Sequence, residues 1–79
     1  MAEGRVKFFD EMKGYGFITL VDGRDVFVHI TAMMPAKVAP KEGDLTRFEL
    51  IEGDKGLKAA DVQILGASIP EESVDNLFN

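Results

Sequence analysis

Five short segments, of which the first three are rich in Val, Ile, Phe and Tyr, constrain this chain of 79 residues more than any other feature. Segments of this length and composition, bounded by Gly, Asp, Pro and Lys, are typical of β-strands. The predicted strands cover residues 5–10, 15–21, 25–30, 44–52 and 57–65. A chain of this size forms one domain, so the sequence predicts a single small all-β fold.

The connections between these segments carry turn residues. Asp22-Gly23 supplies the positive φ angles of a tight hairpin turn, so the second and third strands are expected to pair antiparallel. Residues 11–14 and 53–56 contain glycines that suit similar reversals between their flanking strands.

The segment after the third strand lacks strand alternation. Residues 31–34 suit one short helical turn, and we interpret Met33 and Met34 as side chains that fill gaps in the core. The following residues 35–43 contain two prolines, which cannot join a regular hydrogen-bonded ladder. A mobile loop is predicted there.

Closure of the sheet is expected on physical grounds. A small open sheet exposes unpaired N–H and C=O groups along two edges. The chain contains no cysteine, so no disulfide can staple such a sheet and packing alone must hold the fold. Closing the sheet on itself removes both edges, which favours a small five-stranded antiparallel barrel of the OB-fold type.

The outer face of this barrel is expected to be aromatic, because alternate side chains of a strand point to opposite faces. The predicted inward set is Ile18, Val26 and Val28, and the predicted outward set is Tyr15, Phe17, Phe27 and His29. Outward strand faces normally carry polar residues, so adjacent exposed rings indicate a binding surface. Rings stack on nucleobases, whose faces are accessible only in unpaired strands.

Small and basic residues surround these rings. Gly14 and Gly16 flank the first ring of the second strand, and we interpret them as leaving room for a base and its sugar. Lys7, Lys13 and Lys58 are expected to meet backbone phosphates. The residues by themselves therefore favour a partner that is single-stranded RNA or DNA.

Three motifs carry a resemblance to a known family. Gly-Arg-Val-Lys-Phe-Phe at 4–9, Lys-Gly-Tyr-Gly-Phe-Ile at 13–18 and Asp-Val-Phe-Val-His at 25–29 resemble the opening strand and the two RNP motifs of cold-shock domain proteins. Weaker similarity extends the match over residues 4–65. The resemblance implies a five-stranded OB barrel that acts as an RNA chaperone or as a regulator of transcription or translation. By the same resemblance, the stacking residues are Phe8, Tyr15, Phe17, Phe27 and His29, with Phe9 at their margin and Lys7 and Lys13 at the phosphates.

Four positions depart from the pattern of cold-shock domain proteins. The family usually has Trp at the position of Phe8 and an aromatic residue at that of Ile30, so weaker binding than that of typical relatives is expected. Asp10 replaces the usual Asn, and its carboxylate is expected to repel phosphate. Leu57 replaces a common Pro, which bears on the rigidity of the last turn.

The charge of the chain supports a rival interpretation. The net charge is −5, which opposes binding to polyanions. Residues 67–79 contribute three acids and no base, so we take 1–66 as the cold-shock-type domain and 67–79 as an acidic tail that is frayed or loosely docked. The alternative function is a protein-interaction or self-association domain, in which the aromatic face docks on a partner.

Other classes of function find little support. One histidine and no cysteine give neither a metal cluster nor a nucleophile with its base, so we expect no enzyme, metal, cofactor or small-molecule substrate. The sequence has no apolar run of about 20 residues and no signal-peptide pattern at its start, which predicts a cytoplasmic location away from membranes. The oligomeric state is expected to be a monomer or a weak dimer.

Overall fold

A computed structural model describes residues 1–34 and 37–66 of the chain. Its elements are, in chain order, β1 (Ala2–Asp10), β2 (Tyr15–Leu20), β3 (Asp25–His29), a 3-10 helix (Ile30–Ala32), β4 (Leu45–Gly53) and β5 (Gly56–Gly66). All five predicted strands are confirmed, with ends displaced by at most three residues, and the helical turn begins one residue earlier than predicted. The expected acidic tail lies outside the described residues.

The five strands form a closed barrel in the order β1-β2-β3-β5-β4, which confirms the predicted architecture. Four of the pairings are antiparallel, whereas β3 and β5 run parallel. The barrel is thus antiparallel, as predicted, except at this one seam. An odd number of strands cannot alternate in direction all the way round a closed ring, so one parallel pair is unavoidable.

The interior of the barrel is filled by apolar side chains from every strand. The buried set is Val6, Ile18, Leu20, Val26, Val28, Met33, Phe48, Ala59 and Val62. The predicted inward positions 18, 26 and 28 are thus confirmed. Phe48 is the largest fully buried side chain, so it contributes more apolar area to the core than any other residue.

The two methionines after the 3-10 helix have different positions. Met33 is 1% exposed and forms an isolated parallel bridge with Val62, whereas Met34 is 42% exposed. The backbone N–H of Met34 donates to the Val62 carbonyl (2.8 Å), which leaves its side chain outside. The prediction that both fill the core is right for Met33 and wrong for Met34.

The crossover from the 3-10 helix to β4 is irregular over its described residues 37–44. Its last residues are nonetheless tied to β1, because Gly43 donates to the Val6 carbonyl (2.7 Å) and Val6 donates to the Asp44 carbonyl (2.9 Å). The buried Asp44 carboxylate accepts from the Lys41 N–H (2.9 Å). Two hydrogen bonds to Val6 of β1 and one within the crossover therefore hold this end in place.

β5 contains a bulge at Asp61. Asp61 has a φ of 51°, in the left-handed region that non-glycine residues seldom adopt, and asparagine and aspartate tolerate best. The β4–β5 register shifts there, between the pairs Arg47–Gln63 and Glu49–Ala60. A bulge bends a strand and increases its twist, and β5 stays paired with β4 on both sides of this bulge.

Truncation of the central aromatic residue tests the importance of the core. We expect Phe48→Ala to lower the free energy of unfolding by about 3–5 kcal/mol, because it removes a fully buried ring and leaves a cavity. A core of this size rarely supplies more than about 3–5 kcal/mol, so the variant should be largely unfolded at 25 °C. Urea unfolding followed by circular dichroism measures the loss, with the less disruptive Phe48→Leu as control. A wild-type midpoint for Phe48→Ala would contradict this account of the core.

Candidate functional site

A bulge in β1 decides which side chains reach the outer face of the barrel. Val6 pairs with Ile18 and Phe8 pairs with Phe17, so Lys7 is an extra residue on β1. Without it, strict alternation would point Phe8 into the barrel after the buried Val6. The bulge instead turns both Lys7 and Phe8 outward, where each is exposed.

Four rings meet on this outer face and form a ring cluster of Phe8, Tyr15, Phe17 and Phe27. The Phe8 and Phe17 centroids lie 5.7 Å apart with the planes inclined at 49°, and Phe17 meets Phe27 edge-on at 5.8 Å. Tyr15 stacks on Phe27 at 5.7 Å and 28°. The structure thus confirms the outward placement of Tyr15, Phe17 and Phe27 and brings Phe8 into contact with Phe17.

The ring cluster is open to solvent on its outer side. Phe8 is 41% exposed, and the other three rings are half-buried. The residues between them in sequence, such as Ile18 and Val28, are fully buried. The core is therefore filled without these rings, and their outer faces are available to a ligand.

His29, the next outward residue of β3 after Phe27, is exposed and pairs with Tyr15 across the strands. Its Nδ1 accepts from the Thr31 backbone N–H (3.2 Å) and lies 2.9 Å from the Thr31 hydroxyl. A backbone N–H can only donate, so the neutral ring carries its proton on Nε2. His29 therefore offers a ring face and one N–H donor beside the cluster.

Lys7 does not stand alone at the edge of the ring cluster. Its ammonium group donates to the Asp25 carboxylate (3.1 Å), which also accepts from the Thr19 hydroxyl (3.1 Å). The hydrogen bond from Lys7, followed by that from Thr19, holds the pKa of Asp25 below its ordinary value. The predicted phosphate contact is thus partly neutralised by an acid that sequence analysis did not pair with it.

The β4–β5 hairpin completes the site on the other side. Lys58 pairs with Phe27 across the parallel seam. A cleft of about 570 Å³, the hairpin cleft, lies between Phe17 and Phe27 on one side and residues 53–58 on the other. Lys58 was predicted from the sequence, but the places of Lys55 and Leu57 in this cleft were not, because only the closure of the barrel brings the hairpin beside β3.

The turn between β1 and β2 is organised by Asp10. Its carboxylate accepts from the backbone N–H groups of Met12 (2.9 Å) and Lys13 (3.1 Å), and its carbonyl accepts from Gly14 (2.7 Å). Such side-chain bonds to the backbone two and three residues ahead stabilise tight turns. The Lys13 side chain is exposed on this turn, immediately before the glycine that precedes Tyr15.

Two residues of the motifs, Gly16 and Phe9, contribute to packing between the strands. Gly16 is buried, and a Cβ there would lie 2.1 Å from the Phe8 carbonyl oxygen and 2.9 Å from the Phe9 ring. Gly16 is thus required by the close approach of β1, which corrects its interpretation as space for a ligand. Phe9 is half-buried and packs against the core, as does Ile30.

Within the described ranges, no three His, Cys, Asp or Glu side chains lie close enough to share a metal ion. No helix in that part of the chain is long and apolar enough to cross a membrane.

The fold and this surface define a class of protein, a closed five-stranded OB-type barrel with a row of outward rings on β1, β2 and β3. The family model of the 'Cold-shock' DNA-binding domain matches residues 2–65. The chain therefore belongs to the cold-shock domain family, which is known for nucleic-acid binding.

Individual relatives agree with this assignment. A cold shock-like protein of Thermotoga maritima is 51% identical over 63 residues, which cover 78% of this chain and 96% of that protein. Cold shock protein CspB of Bacillus caldolyticus is 44% identical with the same coverage. The structure of Drosophila Unr CSD456 matches with a TM-score of 0.68 at 23% identity, over 82% of this chain and 26% of that one. This last likeness shows the fold alone.

Gly16→Ala tests the close approach of β1 and β2. We expect a loss of about 1–3 kcal/mol in the free energy of unfolding, because the new methyl group would meet backbone atoms of β1 that must shift. Thermal unfolding of Gly53→Ala provides the control, since the nearest atom there lies at 3.4 Å. Equal melting temperatures for the two variants would show that the β1 backbone can shift away from the new methyl group without loss of stability.

The ion pair between Lys7 and Asp25 predicts a pH dependence. Because the pKa of Asp25 is lowered on folding, its stabilising effect is present above its ordinary pKa of about 4 and disappears as the pH falls through the folded value. Lys7→Gln should raise the pKa of Asp25, as followed by NMR titration of the side-chain carboxyl carbon. Lys41→Gln, which changes a lysine elsewhere, should leave that titration unchanged. An unaltered Asp25 titration in Lys7→Gln would exclude the ion pair in solution.

Proposed function

We propose that this chain binds single-stranded RNA or DNA without catalysis, by stacking bases on the ring cluster, and so acts as an RNA chaperone or as a regulator of transcription or translation. One observation carries the proposal: three rings lie in register across three strands, in the row Phe8–Phe17–Phe27, on a face that the core does not need. Stacking contributes about 1–3 kcal/mol per base whatever the base, because every base has a π-face.

The geometry of the ring cluster favours unpaired strands. Its rings are supported from below by the sheet and by one another, so little side-chain freedom is lost when a base stacks on them. In a duplex the faces of the bases are already stacked, and only their edges and the phosphates remain accessible. A strand held on this surface is kept from pairing, which is the property expected of an RNA chaperone.

Polar groups at the margin suit the rest of a nucleotide. Lys55 and Lys58 line the hairpin cleft beside Phe27, where they can approach phosphates. His29 offers its Nε2–H beside Tyr15, and the Asp25 carboxylate lies at the opposite edge of the cluster. These few groups can bias the choice of base, but the rings supply most of the contact area.

A second candidate is a protein-interaction or self-association domain of the same fold. The net charge of −5 and the ion pair that neutralises Lys7 favour it. The two functions differ in their response to salt. Binding to two or three phosphates of a single strand gives a log–log slope of about −1.4 to −2.1, whereas an apolar protein interface holds or tightens as salt rises.

The proposal predicts that two rings carry much of the affinity for a single strand. Phe17→Ala/Phe27→Ala should weaken binding of a fluorescently labelled seven-nucleotide pyrimidine DNA by about 30-fold or more, since two stacking contacts are worth at least about 2 kcal/mol. Fluorescence anisotropy at two salt concentrations measures both the affinity and the slope. Circular dichroism verifies that the variant remains folded.

Two controls make this result specific. Val21→Ala/Ile64→Ala also removes two exposed apolar side chains, but outside the ring cluster, and should bind as the wild type does. A duplex of the same sequence should bind weakly to every variant. Failure of the wild type to bind the single strand at high micromolar protein would refute the proposed function and leave the ring cluster as a surface for a protein partner.

A further inference from the structure

The surroundings of the ring row differ in charge at its two ends. The ring row, Phe8–Phe17–Phe27, begins on β1 and ends on β3. Lys58 of β5 lies next to Phe27 in the strand register, so this end of the row is called the Lys58 end. We infer that a bound strand continues past the row at the Lys58 end and not at the Phe8 end, which Glu11 and Glu42 close to phosphates. This inference rests on the proposed function and concerns the length of nucleic acid that the site accepts.

The Lys58 end can receive further nucleotides. The hairpin cleft opens directly beside Phe27, with the ammonium groups of Lys55 and Lys58 along its wall. Its acidic members are Asp54 and Asp25, and the latter is already bonded to Lys7. When Lys7 is counted with the Asp25 that it bonds, this end carries three bases and two acids. Gly53 and Gly56, which also line the cleft, add no side chain to it.

The Phe8 end carries the opposite balance. A groove of about 340 Å³, the Phe8 groove, lies between Phe8 and Phe9 on one side and residues 39–42 on the other. Its charged members are Glu11, Glu42 and Lys41, so acids exceed bases by one. A nucleotide that stacked past Phe8 would bring its phosphate beside these two carboxylates.

Backbone donors at this end are largely occupied. The N–H groups of Met12 and Lys13 donate to Asp10, and that of Lys41 donates to Asp44. On the crossover behind the groove, Gly43 donates to the Val6 carbonyl. Arg5 turns its guanidinium group to the Gly43 carbonyl (3.0 Å). A phosphate here would meet repulsion and find few N–H groups to compensate for its lost hydration.

A short footprint follows from this asymmetry. The ring row and the hairpin cleft together accommodate about four nucleotides, at the low end of the range for a single OB fold. Each carboxylate at about 7 Å from a phosphate costs about a factor of two to three in affinity in water. Nucleotides beyond the fourth should therefore add little, since they would lie either beyond the hairpin cleft or beside the carboxylates past Phe8.

The test is a length series of oligothymidylates from three to eight nucleotides, titrated at about 0.05 M salt where charge screening is weak. Tyr15, the only tyrosine in a chain without tryptophan, lies in the ring cluster and reports binding through its own fluorescence. We expect the affinity of the wild type to rise up to about four nucleotides and then to level off. In Glu11→Gln/Glu42→Gln, nucleotides beyond Phe8 are no longer repelled, so the affinity should continue to rise, and the eight-nucleotide strand should bind this variant up to about fivefold more tightly than it binds the wild type.

A matched control separates local from overall charge. Glu49→Gln/Asp61→Asn removes the same two charges from exposed positions of β4 and β5 that line neither end of the ring row. It should leave the plateau where it is in the wild type. Asparagine is suited to position 61 because it tolerates the left-handed conformation there.

The outcomes are distinct. A wild-type affinity that keeps rising to eight nucleotides overturns the inference while leaving the proposed function intact. An unchanged plateau in Glu11→Gln/Glu42→Gln, or an equal gain in the control, overturns the role of the two glutamates. Absence of binding at every length refutes the proposed function itself.

Discussion

Closure of five strands into one ring is the constraint on which the rest of this structure depends. Five strands cannot alternate in direction around a closed barrel, so β3 and β5 meet in parallel. The crossover after β3 carries the chain over to β1, and the hairpin between β4 and β5 returns it to β3. That parallel seam brings Lys58 beside Phe27 and forms the hairpin cleft. The architecture that removes the sheet edges thus also builds half of the candidate site.

The β1 bulge has a similar double role. It keeps Val6 in the core and turns Phe8 out toward Phe17, which alternation along β1 would not do. The bulged strand then crosses β2 so closely that only glycine is accommodated at position 16. Packing and binding are therefore coupled in this motif, and a residue required by one also determines the geometry of the other.

The candidate surface belongs to an acidic chain, so local charge matters more than the net charge of −5. Screening limits the effect of exposed charges to about 10 Å at moderate salt. Within that distance the ring row has a basic hairpin at one end and an acidic groove at the other, and Asp25 moderates Lys7 between them. Stacking does not depend on net charge, so the proposed binding of a polyanion is compatible with an acidic chain.

The sequence by itself determined the strands, the closed barrel, the inward positions 18, 26 and 28, and the outward rings at 15, 17 and 27. These depend on alternation and turn chemistry, which are local, and on the cost of open sheet edges. Only the tertiary structure decided the parallel seam, the outward turn of Phe8, the ion pair of Lys7, the packing role of Gly16 and the exposure of Met34. Each of these depends on which strands become neighbours and in what register, and residues distant in the chain set that register jointly.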